Sequence, residues 1–217
     1  KLIALEAETG LLIWEANVST PKGVSEIDRV SDITSQPIVD NSLIFTVSMN
    51  GDIACLDRKT SEILWSRPLS SFAGITDHLD EVLVIHKRDS IYSLDKLTGK
   101  SLWRNADLIG RSLTSGVIVD DFFIVADYEG FVHTFNINSG KIIGRAPLSS
   151  KDKVLNNILT VEGQFFYVAS IKGDIHKLQL IDVDIPMDIN NSESENEDYE
   201  DSTTLKLFDK LKDAILD

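Results

Sequence analysis

The sequence predicts an all-β fold: a partial β-propeller of four-stranded antiparallel blades, a fragment of an eight-bladed ring. Three observations carry that expectation. A strand–turn–strand unit ending in tryptophan recurs along the chain, the recurrences lie about 40 residues apart with two further strand-like segments ahead of each complete copy, and no amphipathic helical pattern interrupts residues 1–180. The unit is clearest at Ser90 to Trp103, where Ser90 to Leu94 alternates polar and apolar, Asp95 to Gly99 reads as a tight turn, and Lys100 to Trp103 begins the return strand. Gly99 supplies the positive φ that such a turn uses.

Taken in order, Lys1 to Trp14 is the first copy and has no strands ahead of it. Gly51 to Trp65 is the second, with Ser61 in the glycine position, and Ser90 to Trp103 is the third. In the fourth, Gly130 to Gly144, glycine stands where the others have tryptophan, and Gly173 to Leu178 opens a fifth. The paired strands ahead of the complete copies are Gln36 to Val39 with Ser42 to Val47, Gly74 to His78 with Glu81 to His86, and Ser115 to Val119 with Phe122 to Ala126. Short polar links, Asp40-Asn41, Leu79-Asp80 and Asp120-Asp121, join each pair as antiparallel neighbours. The expected content is therefore two strands of an opening blade, three full blades and about three strands of a last one, over residues 1–180. Trp14, Trp65 and Trp103 recur at one position of the repeat, which assigns them as apolar wedges between neighbouring blades.

Composition separates the body from the tail. The formal charge is −14 over 217 residues, and residues 181–201 hold nine acidic side chains and no basic ones. The propeller body is thus only mildly acidic, which argues against a nucleic-acid groove. Residues 181–201 read as a largely disordered acidic linker, and 202–217 as a short amphipathic helix that carries Leu207, Phe208, Leu211, Ala214 and Ile215 at helical spacing. No apolar run approaches the length of a membrane helix. The single cysteine, Cys55, lies in a strand pattern and reads as a small buried apolar residue.

One loop stands out. Lys22 to Ile33 belongs to the insertion that stretches the first spacing, Trp14 to Trp65, to 51 residues, and it carries Glu26, Asp28, Arg29 and Asp32 around Ile27 and Val30. Mixed charge about an apolar centre suits a protein contact, and an internal salt-bridge cluster that pins the loop is the alternative. Catalytic patterns are missing from the sequence. His133 and His176 take equivalent positions in successive repeats, matching Ala54 and Tyr92, and so read as structural. His78 and His86 lie on neighbouring strands without a third ligand, and there is no phosphate loop or nucleophile elbow. The carboxylates of Asp127 and Glu129 fall at a turn. No catalytic, metal or cofactor residue is assigned.

The pattern from Leu94-Asp95 through Thr98-Gly99 to Trp103 resembles the repeat of quinoprotein-like propellers, which quinone-dependent dehydrogenases share with non-enzymatic scaffolds. Glu26 to Asp32, followed by Gln36 to Val39, Asn50 to Ala54 and Leu113 to Ser115, is similar in order and spacing to the C-terminal half of the BamB family. These are propeller lipoproteins of the outer-membrane β-barrel assembly machinery of Gram-negative bacteria. The resemblance covers residues 1–180 and implies a non-enzymatic scaffold on the periplasmic face of the outer membrane. It implies BamA periplasmic domains as partner, unfolded outer-membrane proteins as further clients, and a lipidated cysteine upstream of Lys1 as the membrane anchor. It places the contact on Asp28, Arg29 and Asp32. A second acidic position of the family falls on Thr34, which cannot form the same charged pair. A generic propeller interaction module and a quinone-dependent dehydrogenase are the alternatives. The dehydrogenase is disfavoured because such enzymes carry a vicinal cysteine pair, and Cys55 has no second cysteine.

Overall fold

The computed structural model describes residues 1–18, 32–33, 35–148, 154–162 and 165–180. The expected acidic linker and C-terminal helix lie outside the described residues. Among those described, every regular element is a strand, and the strands form five antiparallel sheets in chain order. The first pairs β1 (Leu2–Leu5) with β2 (Leu12–Ala16). The second is β3 (Ile38–Asp40), β4 (Leu43–Val47), β5 (Ile53–Asp57) and β6 (Ile63–Arg67), each paired with the next. The third repeats this meander with β7 (Ile75–His78), β8 (Glu81–Ile85), β9 (Ile91–Asp95) and β10 (Ser101–Asn105). The fourth uses β11 (Val117–Val119), β12 (Phe122–Ala126), β13 (Phe131–Asn136) and β14 (Ile142–Pro147), and the fifth β15 (Val154–Glu162), β16 (Phe165–Ser170) and β17 (Ile175–Gln179).

The innermost strands are shorter than the sequence pattern suggests. β3 starts at Ile38 rather than Gln36, because Pro37 has no N–H to give a ladder, and β7 starts after Gly74, whose φ of +89° is outside strand geometry. The β3–β4 link is Asn41-Ser42 rather than Asp40-Asn41, since Asp40 pairs with Leu43 and Asn41 takes the positive φ of 50° that Asn tolerates.

Successive sheets pack face to face, and each interface is a separate core. In β8, Val82 and Val84 enter the core shared with the second sheet, while Leu83 and Ile85 enter the core shared with the fourth. β12 does the same: Phe123 and Val125 point back to the third sheet, and Ile124 and Ala126 forward to the fifth. This is why β8 and β12 are apolar in both phases, as strands covered on two faces must be. Each fully buried Phe, Ile, Leu or Val contributes about 1.5–3 kcal/mol. Cys55 faces the second such core with no exposure, and burial pushes its thiol up to about 11, so it behaves as an apolar side chain.

The outermost strand adds a directional contact. Trp65 on β6 donates its indole N–H to the carbonyl of Lys96, in the β9–β10 turn of the next sheet, at 2.8 Å. Trp103 on β10 donates to Ile137 O in the β13–β14 turn at 2.7 Å, and Trp14 on β2 to Arg58 O in the β5–β6 turn at 2.9 Å. Two residues on, Arg67 donates to Gly99 O at 2.6 Å and Asn105 to Gly140 O at 3.0 Å, so the same turns are held twice. The indole rests flat against the glycine of the turn. A Cβ on Gly99 would stand 2.6 Å from Trp65 Cε3, and one on Gly140 2.3 Å from Trp103 Cε3. Both glycines also sit at positive φ, 68° and 67°.

Side chains within each turn fix that conformation. Asp95 Oδ1 accepts from Thr98 N at 2.7 Å and Thr98 Oγ1 at 2.6 Å, Asp57 Oδ1 accepts from the N–H groups of Lys59 and Thr60, and Asn136 Oδ1 from Ser139. The Thr98 hydroxyl and N–H hold the Asp95 carboxyl below the usual carboxylate range, and the Thr60 and Lys59 N–H groups do the same for Asp57. One side chain thus satisfies N–H groups that the turn leaves without backbone partners.

Replacing Trp65 or Trp103 by Ala should lower the unfolding free energy by about 3–5 kcal/mol, read from chemical denaturation. Unchanged stability would contradict the lock. Gly140→Ala should cost about 1–2 kcal/mol for its left-handed backbone and a further ~1–3 kcal/mol for overlap with the indole. Gly10→Ala, with φ of +71° and open space around it, should show only the first of these costs in the same measurement.

Candidate partner interface

A meander of four strands places its turns at two ends. The β3–β4 and β5–β6 turns and their equivalents share one end, the hairpin end; the β4–β5 turn, its equivalents and the long sheet-to-sheet connections share the other, the connection end. The hairpin end is where the turn-capping carboxylates sit. It also holds Lys96, which is buried with its ammonium 2.7 Å from Asp40 and 2.7 Å from Asp77. Burial alone would lower this lysine; hydrogen bonds to the two carboxylates outweigh it and raise it above its usual value. Asp40 comes from the second sheet and Asp77 from the third, so the pair of bonds ties two sheets together.

At the connection end, connections are laced to turns through the backbone. Asp32 forms a β-bridge with Met49 and accepts its N–H at 2.8 Å, which seats the end of the β2–β3 connection on the β4–β5 turn. The Asp32 residue is exposed there and Ile33 packs into the core between the first two sheets. Of the other residues assigned to this contact from the sequence, Glu26, Ile27, Asp28 and Arg29 lie outside the described residues, as does Thr34. The same lacing repeats further on, where Leu113 bridges Asp127 and Tyr128 N donates to Arg111 O at 3.1 Å. Phe72, Ile109, Tyr128 and Ile171 are exposed large apolar side chains on connections or turns of this end.

A charged network that the sequence did not reveal lies here. Asp127 is fully buried, and its carboxylate receives Arg111 Nε at 2.6 Å, His133 Nε2 at 2.8 Å, and the N–H groups of Glu129 and Phe131 at 3.0 Å each. Burial would raise this carboxyl, but the bonds from His133, Phe131 and Arg111 overcome it and hold it below its ordinary value. The bond to Asp127 in turn holds the Arg111 guanidinium above its usual value. Arg111 reaches Glu129 at 2.8 Å, and Arg145 stacks over the Phe131 ring at 3.8 Å from its centroid. Read by sequence alone, Asp127 and Glu129 are ordinary turn residues. The available signal was that Asp127 stands where the other repeats have Ser48, His86 and Ser170.

The network fixes the β10–β11 connection against the β12–β13 turn, and its bonds are internal, which suits a rigid support. Among the described residues there is no group of three or more His, Cys, Asp or Glu placed to hold a metal ion. The arrangement offers charged loops on a stiff frame, a geometry for binding.

Comparison with known proteins agrees with this description. The family model described as outer membrane protein assembly factor BamB matches residues 1–105 and 87–185. The outer membrane protein assembly factor BamB of Pseudomonas aeruginosa is 34% identical over 175 residues, covering 81% of this chain and 46% of that protein. Its counterpart in Escherichia coli K12 is 31% identical over 150 residues, covering 69% of this chain and 38% of that protein. The chain therefore spans less than half the length of these curated relatives. The crystal structure of BamB from Moraxella catarrhalis superimposes with a TM-score of 0.74 at 31% identity, over 82% of this chain and 52% of that one. With a family match over most of its length and a fold that superimposes on a solved member, the chain belongs to the BamB family of outer membrane protein assembly factors.

Proposed function

We propose that the chain is part of a non-enzymatic scaffold of the outer-membrane protein assembly machinery, docking the periplasmic domains of BamA through its connection end. Such a protein works on the periplasmic face of the outer membrane and assists folding and insertion of β-barrel proteins. The observation that carries this reading is family membership over residues 1–185, together with the bridge that seats Asp32 on the β4–β5 turn at an exposed edge of the connection end. The stacked sheets support it physically. They present loops on a frame braced by buried ion pairs, so little order is lost on binding. Glu26, Ile27, Asp28 and Arg29 complete the contact, with Arg29 suited to a bidentate bond to a partner carboxylate. The tryptophans act at a distance, by holding the sheets that carry the loops.

The test is titration of full-length protein against the BamA periplasmic domains. Asp28→Ala with Arg29→Ala should weaken binding by about 30-fold, since truncating one side of a hydrogen-bonded charge pair costs roughly 2 kcal/mol or more. Asp32→Ala should weaken it too, while Lys59→Ala at the hairpin end should leave it unchanged. Equal affinity for all four proteins, or no binding by the folded parent, would overturn the reading.

A further inference from the structure

At the connection end, between the connections that lead into β7 and β11, lies a cavity of about 270 Å³. Ile85 and Leu113 form a buried apolar floor, and Phe72, 56% exposed, stands at the rim. The β8–β9 turn supplies the polar wall with His86 and Lys87, whose ammonium donates to Asn50 Oδ1 at 3.3 Å; Arg88, next along the turn, is exposed beside the lining. The one carboxylate of this wall is spoken for. Asp89 accepts the N–H groups of Ser112 and Leu113, each at 2.9 Å.

Two details mark the wall as built. Asp89 sits at a positive φ of 66°, where the corresponding position of the next two sheets is Gly130 and Gly173, and its partner Ser112 sits at 53°. A strained aspartate in place of glycine is retained where its side chain is needed, here to clamp the next connection against the cavity. Cations also cluster around His86, although the chain as a whole carries −14. Burial first, and then Lys87, Arg88 and Arg104, push the His86 imidazole below its usual value, against the opposing charge of Asp89.

An apolar hole with an aromatic rim and a cationic wall selects an aromatic side chain flanked by carboxylates. This chain carries one such segment beyond the described residues: Glu197-Asp198-Tyr199-Glu200-Asp201, in which Tyr199 is the sole aromatic residue of the 181–201 acidic run. Tyr199 follows Leu180, the last described residue, by 19 positions, enough chain to span up to about 60 Å. A five-residue strand is only ~17 Å long, so 19 residues are long enough to span from the hairpin end, where β17 leaves, to the connection end.

We propose that this cavity binds the chain's own acidic segment, with Tyr199 entering beside Phe72 and the carboxylates of Asp198 and Glu200 meeting Lys87 and Arg88. The tail then occupies part of the end assigned above to partner docking, but the assignment stands on the cavity and the segment and does not require that partner.

Hydrogen–deuterium exchange on the full chain tests it. In dilute protein at low salt the amides of 197–201 should exchange about 10-fold slower than their intrinsic rates, because docking orders them. Protection should vanish in about 0.5 M salt, in Tyr199→Ala, and in Lys87→Ala with Arg88→Ala, and should persist in Lys87→Arg with Arg88→Lys. Intrinsic exchange of 197–201 in the parent chain overturns the proposal, as does protection that survives both the Tyr199 change and high salt. Protection that appears only as protein concentration rises overturns the intramolecular assignment in favour of a second copy. The salt and Tyr199 arms hold even if the double alanine variant fails to fold.

Discussion

Each pair of neighbouring sheets meets through an apolar interface that is slippery by nature, and the indole of one sheet closing on the turn of the next is what gives that interface a register. Burial of Phe45, Val84 or Phe123 favours contact between sheets and is indifferent to small rotations. The bonds from Trp65 to Lys96 O and from Trp103 to Ile137 O, each with a second bond two residues on, are directional. Both use a turn whose carbonyl meets the indole N–H and whose glycine, Gly99 or Gly140, leaves room for the ring, whereas the turn met by Trp14 has Ser61 at that position. The turn sequence and the tryptophan are therefore one device shared between adjacent repeats, written about 31–34 residues apart.

The two ends of the sheets follow from this division. At the hairpin end acidic side chains are consumed locally, capping turns or neutralising buried Lys96, so that end serves the frame. The connection end has Asp127 and Asp89 holding backbone N–H groups in the same way, but sets exposed cations and apolar side chains beside them. Its backbone is laced by bridges at Asp32–Met49 and Leu113–Asp127, and its side chains include exposed Phe72, Ile109, Tyr128 and Ile171 beside Lys87 and Arg88. A buried Asp127 held by Arg111 and His133 stiffens the same end from below. Charged loops on such a base suit recognition, which is the physical ground for the docking role proposed for this end.

Much of this was readable in the sequence because the determining chemistry is local. Asp95, Thr98 and Gly99 lie within five residues and specify a turn without reference to anything distant, and the doubly apolar runs at Val82 to Ile85 and Phe123 to Ala126 announce strands covered on both faces. Strand starts were less legible. Pro37 and Gly74 act on hydrogen-bonding geometry and dihedral angle, which an apolar pattern does not report. The charged elements were hidden for a different reason. Lys96 and Asp40 are 56 positions apart, and Arg111 and Asp127 are 16 apart on separate elements, so only the fold brings them together. Of the loop that the sequence singles out, Asp32 is seated on the β4–β5 turn, while the role given to Glu26 to Arg29 rests on their chemistry and on family likeness.

The central claim, that sheets are held in register by indole-to-turn bonds, is tested most directly by nuclear magnetic resonance of the three indole N–H groups in the intact protein. The account predicts slow hydrogen exchange for the Trp65 and Trp103 indoles, with cross-relaxation from their rings to the α protons of Gly99 and Gly140. Rapid exchange of both indoles with no contact to either glycine would contradict it.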